Sequence, residues 1–106
     1  MTSEKYDWVG VFTAIEAAMT SAANHRSAEF AASEAERRGL TKQGDANGTY
    51  QDKVWERTAD GVILRLKWHC YDQSHAYRVL PDMNVLSLEL RQGDKILQRV
   101  ERRFED

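Results

Sequence analysis

The sequence predicts an α+β fold, with an N-terminal long helix, whole or broken, packed on one face of a four- or five-stranded antiparallel β-meander. Three observations carry this expectation. In the stretch Gly61-Val62-Ile63-Leu64-Arg65-Leu66-Lys67-Trp68-His69-Cys70-Tyr71, the even positions from Val62 to Cys70 are all apolar, while Arg65, Lys67 and His69 take odd ones. A period of two sends alternate side chains to opposite faces of a strand. The β-branched and aromatic content favours extended backbone, so this stretch reads as the central strand. Trp8, Phe12, Ile15, Met19 and Ala22 instead recur at spacings of three and four, the stripe of a helix that buries one side. After residue 49, apolar-patterned runs alternate with turn-forming clusters, as in a meander.

Taken in order, Ser3 is the expected N-cap of the first helix, with Glu4 and Asp7 near its positive end. The alanine-rich run that follows favours helix to residue 38. Arg37-Arg38-Gly39-Leu40 then supplies a stop: cations for the negative end, a glycine for a left-handed cap and a leucine for the apolar contact. A single helix over residues 4–38 would be about 52 Å long at 1.5 Å per residue. That exceeds the roughly 33 Å of a ten-residue strand. A bend or break near Asn24-His25-Arg26-Ser27 is therefore expected, even though Phe30 would continue the apolar stripe of an unbroken helix.

The domain reads as a single unit over 1–106, helical over 4–38, a connecting loop over 39–49, and antiparallel sheet over 50–104. The expected strands are Tyr50 to Thr58, the central strand, Ala76 to Leu80, Val85 to Arg91 and Lys95 to Phe104. Turns fall at Ala59-Asp60-Gly61, Asp72 to His75, Pro81-Asp82 and Gln92-Gly93-Asp94. A turn at Gln73-Ser74 would pair Cys70 with Tyr77 and Trp68 with Val79. Leu86, Leu88 and Leu90 should share a face with Ile96, Val100 and Phe104.

Composition narrows the function classes. With 15 basic against 17 acidic side chains and a net charge of -2, the chain lacks the basic excess of a protein that binds by neutralising phosphates. Cys70 is the single cysteine, so no intrachain disulfide forms. No apolar run approaches a membrane span, and the first residues do not resemble a secretory signal. An intracellular, cytoplasmic setting fits best.

Candidate sites were weighed in three groups. His69, Cys70, Asp72 and His75 crowd one strand end and could suggest zinc or a cysteine–histidine pair. Adjacent strand residues point apart, however, and Cys70 falls on the core face, where a thiol packs as a small apolar group. No catalytic residue, metal site or cofactor is expected. The aromatic residues Trp8, Phe12, Trp55, Trp68 and Tyr77 could line a pocket between helix and sheet, or simply form core. The odd-numbered face gathers Arg65, Lys67, Arg78, Arg91, Arg99 and Arg103 with Tyr71 and Leu97, a mixture of basic, aromatic and aliphatic groups found at binding surfaces. There Glu89 and Glu101 should ion-pair with arginines.

The expected function is a small non-catalytic protein–protein interaction module, acting as a homodimer or by binding a partner protein through the arginine-rich sheet face. The alternative is a ligand-binding or enzymatic cup using the aromatics with His69, Asp72 or His75. Nucleic-acid binding by the basic face stands third.

Overall fold

The computed structural model describes residues 6–22, 29–43, 50–71 and 84–104. They form α1 (Trp8–Ser21), α2 (Glu29–Arg37), β1 (Thr41–Lys42), β2 (Tyr50–Ala59), β3 (Val62–Tyr71), β4 (Asn84–Gln92) and β5 (Lys95–Phe104). The strands make one antiparallel sheet in the order β1-β2-β3-β4-β5, so the predicted central strand is central. Both helices pack on one face, giving the expected α+β class.

The cap of α1 is Asp7, whose carboxylate accepts from the Gly10 N–H at 3.0 Å. Tyr6 and Asp7 lie before the helix, which corrects the expected start at residue 4. The expected cap Ser3 lies outside the described residues. At the other end, Ala22 is extended (φ -66°, ψ 128°), so one helix over 4–38 does not form. The break comes just ahead of the expected position. It lets α2 fold back alongside α1: the Tyr6 hydroxyl, beside the start of α1, donates to the Arg38 carbonyl just past the end of α2. The break also resets the helical phase. Phe30, on the stripe of an unbroken helix, is 70% exposed, while Ala31, Ala32 and Ala35 are buried. Their small side chains allow close approach to α1 and the sheet.

At the end of α2, Gly39 has φ 99°. Its N–H donates to the Glu36 carbonyl at 3.1 Å, and the Leu40 N–H reaches the Ala35 carbonyl at 2.9 Å. This is the expected glycine stop, a Schellman motif, with Leu40 and Ala35 both buried. The chain then forms β1 within the expected 39–49 connection, pairing Thr41 with Glu56 and Lys42 with Trp55.

Asp60 (φ 53°) and Gly61 (φ 78°) make the two-residue turn from β2 to β3, both left-handed as a type I′ hairpin requires. The next neighbour of β3 is β4, with Trp68 opposite Leu86, Leu66 opposite Leu88 and Leu64 opposite Leu90. On its other side Trp68 faces Lys53. The expected pairing of Trp68 with Val79 is therefore overturned, because both flanks of Trp68 are taken. The expected strand from Ala76 to Leu80 lies outside the described residues.

Between β4 and β5 the register shifts: Leu90 faces Gln98 but Arg91 faces Ile96, leaving Leu97 as the extra residue of a bulge. Val100 does lie opposite Leu88, as expected. Ile96 does not share the leucine face: it pairs with Arg91 and is 51% exposed. The register sets Phe104 opposite Asn84.

The core lies between the helix pair and the even face. Phe12, Ile15 and Met19 of α1 meet Leu64, Leu66, Leu86 and Leu88, all at most 2% exposed. Burial of each such side chain contributes about 1.5–3 kcal/mol. At the margins of this face two arginines hold the helix ends. Arg102 of β5 donates to the Met19 and Thr20 carbonyls at the C-terminus of α1. Arg57 of β2 donates to the Gly39 carbonyl at 3.2 Å and lies 4.1 Å above the Tyr6 ring. Carbonyls at a helix C-terminus lack intrahelical partners and carry partial negative charge, so a cation there is favoured.

Two outcomes follow from these contacts. Arg102→Ala should lower stability to urea by about 1–3 kcal/mol, since hydrogen bonds from a charged donor contribute that order. An unchanged midpoint would remove the capping role. Burial raises the Tyr6 phenol above its ordinary 10.0, against the pull of Arg57 and Arg38. The folded state thus holds its proton longer than the unfolded chain, so this stabilisation is complete below pH 10 and declines as pH rises through the folded value. Tyr6→Phe should flatten the alkaline loss of stability, measured by unfolding titrations above pH 10.

Candidate functional site

The odd residues of β3, β4 and β5 form the sheet face away from the helices. Arg65 of β3 and Arg99 of β5 flank Glu89 of β4 by register, while Lys67 lies opposite Ser87. Arg91 follows Glu89 on the same strand and face. The sheet geometry thus brings Arg65, Lys67, Arg91, Arg99 and Arg103 onto one surface, as the alternation predicted. Leu97 belongs to the bulge and is 43% exposed. Arg78 lies outside the described residues, as does the side chain of Tyr71.

Carboxylates are threaded through the cations, and both expected ion-pairing acids are engaged. Glu89 lies 3.5 Å from Arg91 Nε and 3.6 Å from Arg99 Nε. Glu101 reaches Arg99 at 3.1 Å and Arg103 at 3.3 Å. Arg65 Nε donates to Glu56 at 2.6 Å. Exposed pairs of this kind contribute about 0–1 kcal/mol each, so they orient side chains more than they stabilise the fold. At 3.5 Å the Arg91–Glu89 contact is an ion pair, not a close hydrogen bond, and the buried Arg91 Nε–H has no hydrogen-bond acceptor.

These side chains surround a depression of about 280 Å³, lined by Arg65, Lys67, Ser87, Glu89, Arg91 and Arg99. Four cations meet one carboxylate there. Sequence reasoning found the residues but not the depression, because the alternation assigns a face and says nothing of its relief.

The aromatic group divides. Trp55 and Trp68 line a second cavity of about 210 Å³ between α2 and the sheet, with Glu36, Lys42 and Lys53 at its rim. The Trp55 indole donates to Glu36 at 2.9 Å, and the Lys53 ammonium lies 5.4 Å from the Trp68 ring centre. The Trp68 N–H is buried with no partner. Phe12 is core, at 2% exposure, and Trp8 stacks edge-on against Tyr6 at 4.6 Å. Of the expected pocket residues Trp8, Phe12, Trp55, Trp68 and Tyr77, Trp55 and Trp68 thus share a cavity, while Phe12 packs in the core and Trp8 stands at the helix start. Tyr77 lies outside the described residues.

His69 lies on the open face opposite Val85, while the register sets Cys70 on the other parity. Asp72 and His75 lie outside the described residues. Among the described residues no group of three or more His, Cys, Asp or Glu side chains could hold a metal ion, and no helix is long and apolar enough to cross a membrane. Sequence reasoning missed Arg57 and Arg102 as helix-capping groups. Their signal was a charged residue at a position of core parity.

Among the described residues the fold and site define a class: an α+β domain with two helices on one face of its sheet and a charged, indented surface on the other. Comparison with known protein families, curated proteins and solved structures finds no match to the chain.

Because its arginine heads are at least a third exposed, the face should tolerate substitution. Arg65→Gln is expected to change stability by less than about 1 kcal/mol in urea unfolding. A larger loss would make the Arg65–Glu56 pair a structural element.

Proposed function

We propose that this chain is a non-catalytic interaction module that docks a partner protein through the open face of its sheet. The observation that carries this reading is the depression where Arg65, Lys67, Arg91 and Arg99 surround a lone Glu89. Within a chain of net charge -2, the open face concentrates positive charge. Arginine held in place by neighbouring carboxylates loses little further freedom on binding, and its fork suits a partner's acidic groups. Intermediate burial of Ile63 and Val85, with exposed Ile96 and Leu97 near the hairpin end, adds apolar contact.

The open face suits a different protein better than a second copy. An isologous contact sets each patch against itself, and a patch with surplus positive charge then repels its twin. Nucleic acid fits less well, because Glu56, Glu89 and Glu101 interrupt the basic surface. A cytoplasmic setting is the simplest one for such a module, given its single cysteine.

The test is capture of partners from host extract with wild-type bait and with Lys67→Glu plus Arg91→Glu. The variant should lose its specific partner while its melting temperature stays within about 4 °C, the shift that 1 kcal/mol causes in a domain of this size. The same set of captured proteins from both baits would sink the proposal.

A further inference from the structure

We infer that the depression on the open face seats a phosphoryl group carried on a side chain of the partner protein. This rests on the reading that the face docks a partner, and deepens it by naming the group recognised. The depression draws its donors from three adjacent strands: Arg65 and Lys67 from β3, Arg91 from β4 and Arg99 from β5. Ser87 adds a hydroxyl. Donors converging from several sides match a tetrahedral group with three acceptor oxygens, whereas a planar carboxylate is satisfied by one fork in its own plane.

Charge selects the same ligand. The lining of the depression carries four cations, Arg65, Lys67, Arg91 and Arg99, and one carboxylate, Glu89, with Glu56 and Glu101 on its outer sides. A phosphorylated side chain carries about -1.5 to -2 at neutral pH, so it interacts with such a lining more strongly than a singly charged carboxylate does. Glu89 lies at the centre and is shared at 3.5 and 3.6 Å by Arg91 and Arg99, so it orients both guanidinium groups while leaving close hydrogen bonds unmade. Glu56 and Glu101 hold Arg65 and Arg99 from the outer sides through hydrogen bonds at 2.6 and 3.1 Å.

Two features favour a protein-borne phosphoryl over a free ion or a nucleic acid. The site is an open depression on a broad face, with Ile63 beside it on β3, so neighbouring residues of a peptide find apolar contact there. A nucleic-acid backbone carries a row of phosphates, so it would also pass Glu56 and Glu101 on the outer sides of the depression, which a single seated phosphoryl avoids.

The experiment is a titration of the full chain followed by amide and arginine side-chain NMR shifts. The probes are a five-residue alanine peptide with central phosphoserine, the same peptide with glutamate, inorganic phosphate, and a ten-nucleotide oligothymidylate, at matched ionic strength. The phosphoserine peptide should bind saturably with Kd on the order of 1 mM or tighter and at least about tenfold tighter than the glutamate peptide. Lys67→Gln and Arg91→Gln should each weaken it several-fold, whereas Lys53→Gln, on the helix side, should not. Dispersed spectra confirm that each variant is folded. Equal binding of the phosphoserine and glutamate peptides overturns the proposal, as does binding indifferent to Lys67→Gln and Arg91→Gln. Inorganic phosphate binding as tightly as the peptide reassigns the site to a free ion, and tighter binding of oligothymidylate reassigns it to nucleic acid; either result overturns the peptide reading. If the phosphopeptide fails while Lys67→Glu plus Arg91→Glu still abolishes partner capture, the docking face stands and only the phosphoryl assignment falls.

Discussion

The structure depends on one constraint, the parity of the β3–β4 ladder. Leu64 opposite Leu90, Leu66 opposite Leu88 and Trp68 opposite Leu86 form a continuous apolar strip beneath the helices. A slip of one residue in either strand would carry its whole set to the other face. Arginine, lysine and glutamate would then enter the core, where an unpaired charge costs several kcal/mol. The same ladder therefore decides where the helices lie and which face stays open. The open face is a consequence of the core, since charged residues at the alternate positions have nowhere else to go.

Arginine plays two roles, and its position across the sheet separates them. On the helix side, Arg57 and Arg102 extend from β2 and β5 to the carbonyl ends of α2 and α1. Each sits at the edge of the apolar strip, where its stem can pack and its head can find unpaired oxygens. On the other side, Arg65, Arg91, Arg99 and Arg103 meet carboxylates, and the result is a charged network of little thermodynamic weight. Helix capping and the open-face ion pairs thus draw on the same residue type without competing for the same surface.

Within the open network, Glu89 has the most informative place. It is bracketed by two arginines across the strands and followed by a third, yet it makes no close hydrogen bond to the two it pairs with. A carboxylate in that position sets the directions of the guanidinium groups and tempers their mutual repulsion. It leaves positive potential pointing outward, the condition for recognising a more highly charged anion than itself.

What the sequence determined by itself was local. Alternation in residues 61–71 and 85–90 set the buried and open faces, Asp60-Gly61 set the β2–β3 turn, and Gly39 with Leu40 set the end of α2. Each follows from backbone geometry or from a period that a short window displays. The residues of the candidate face were legible for the same reason. Only the tertiary structure decided which strand lies beside β3, since strand pairing is a contact between distant segments and many pairings preserve parity. It also decided the bulge at Leu97 that turns Ile96 outward, the break at Ala22 that exposes Phe30, and the addition of β1 at the sheet edge. The capping by Arg57 and Arg102 belongs with these, because a helix end becomes an acceptor for a strand only after the two have packed.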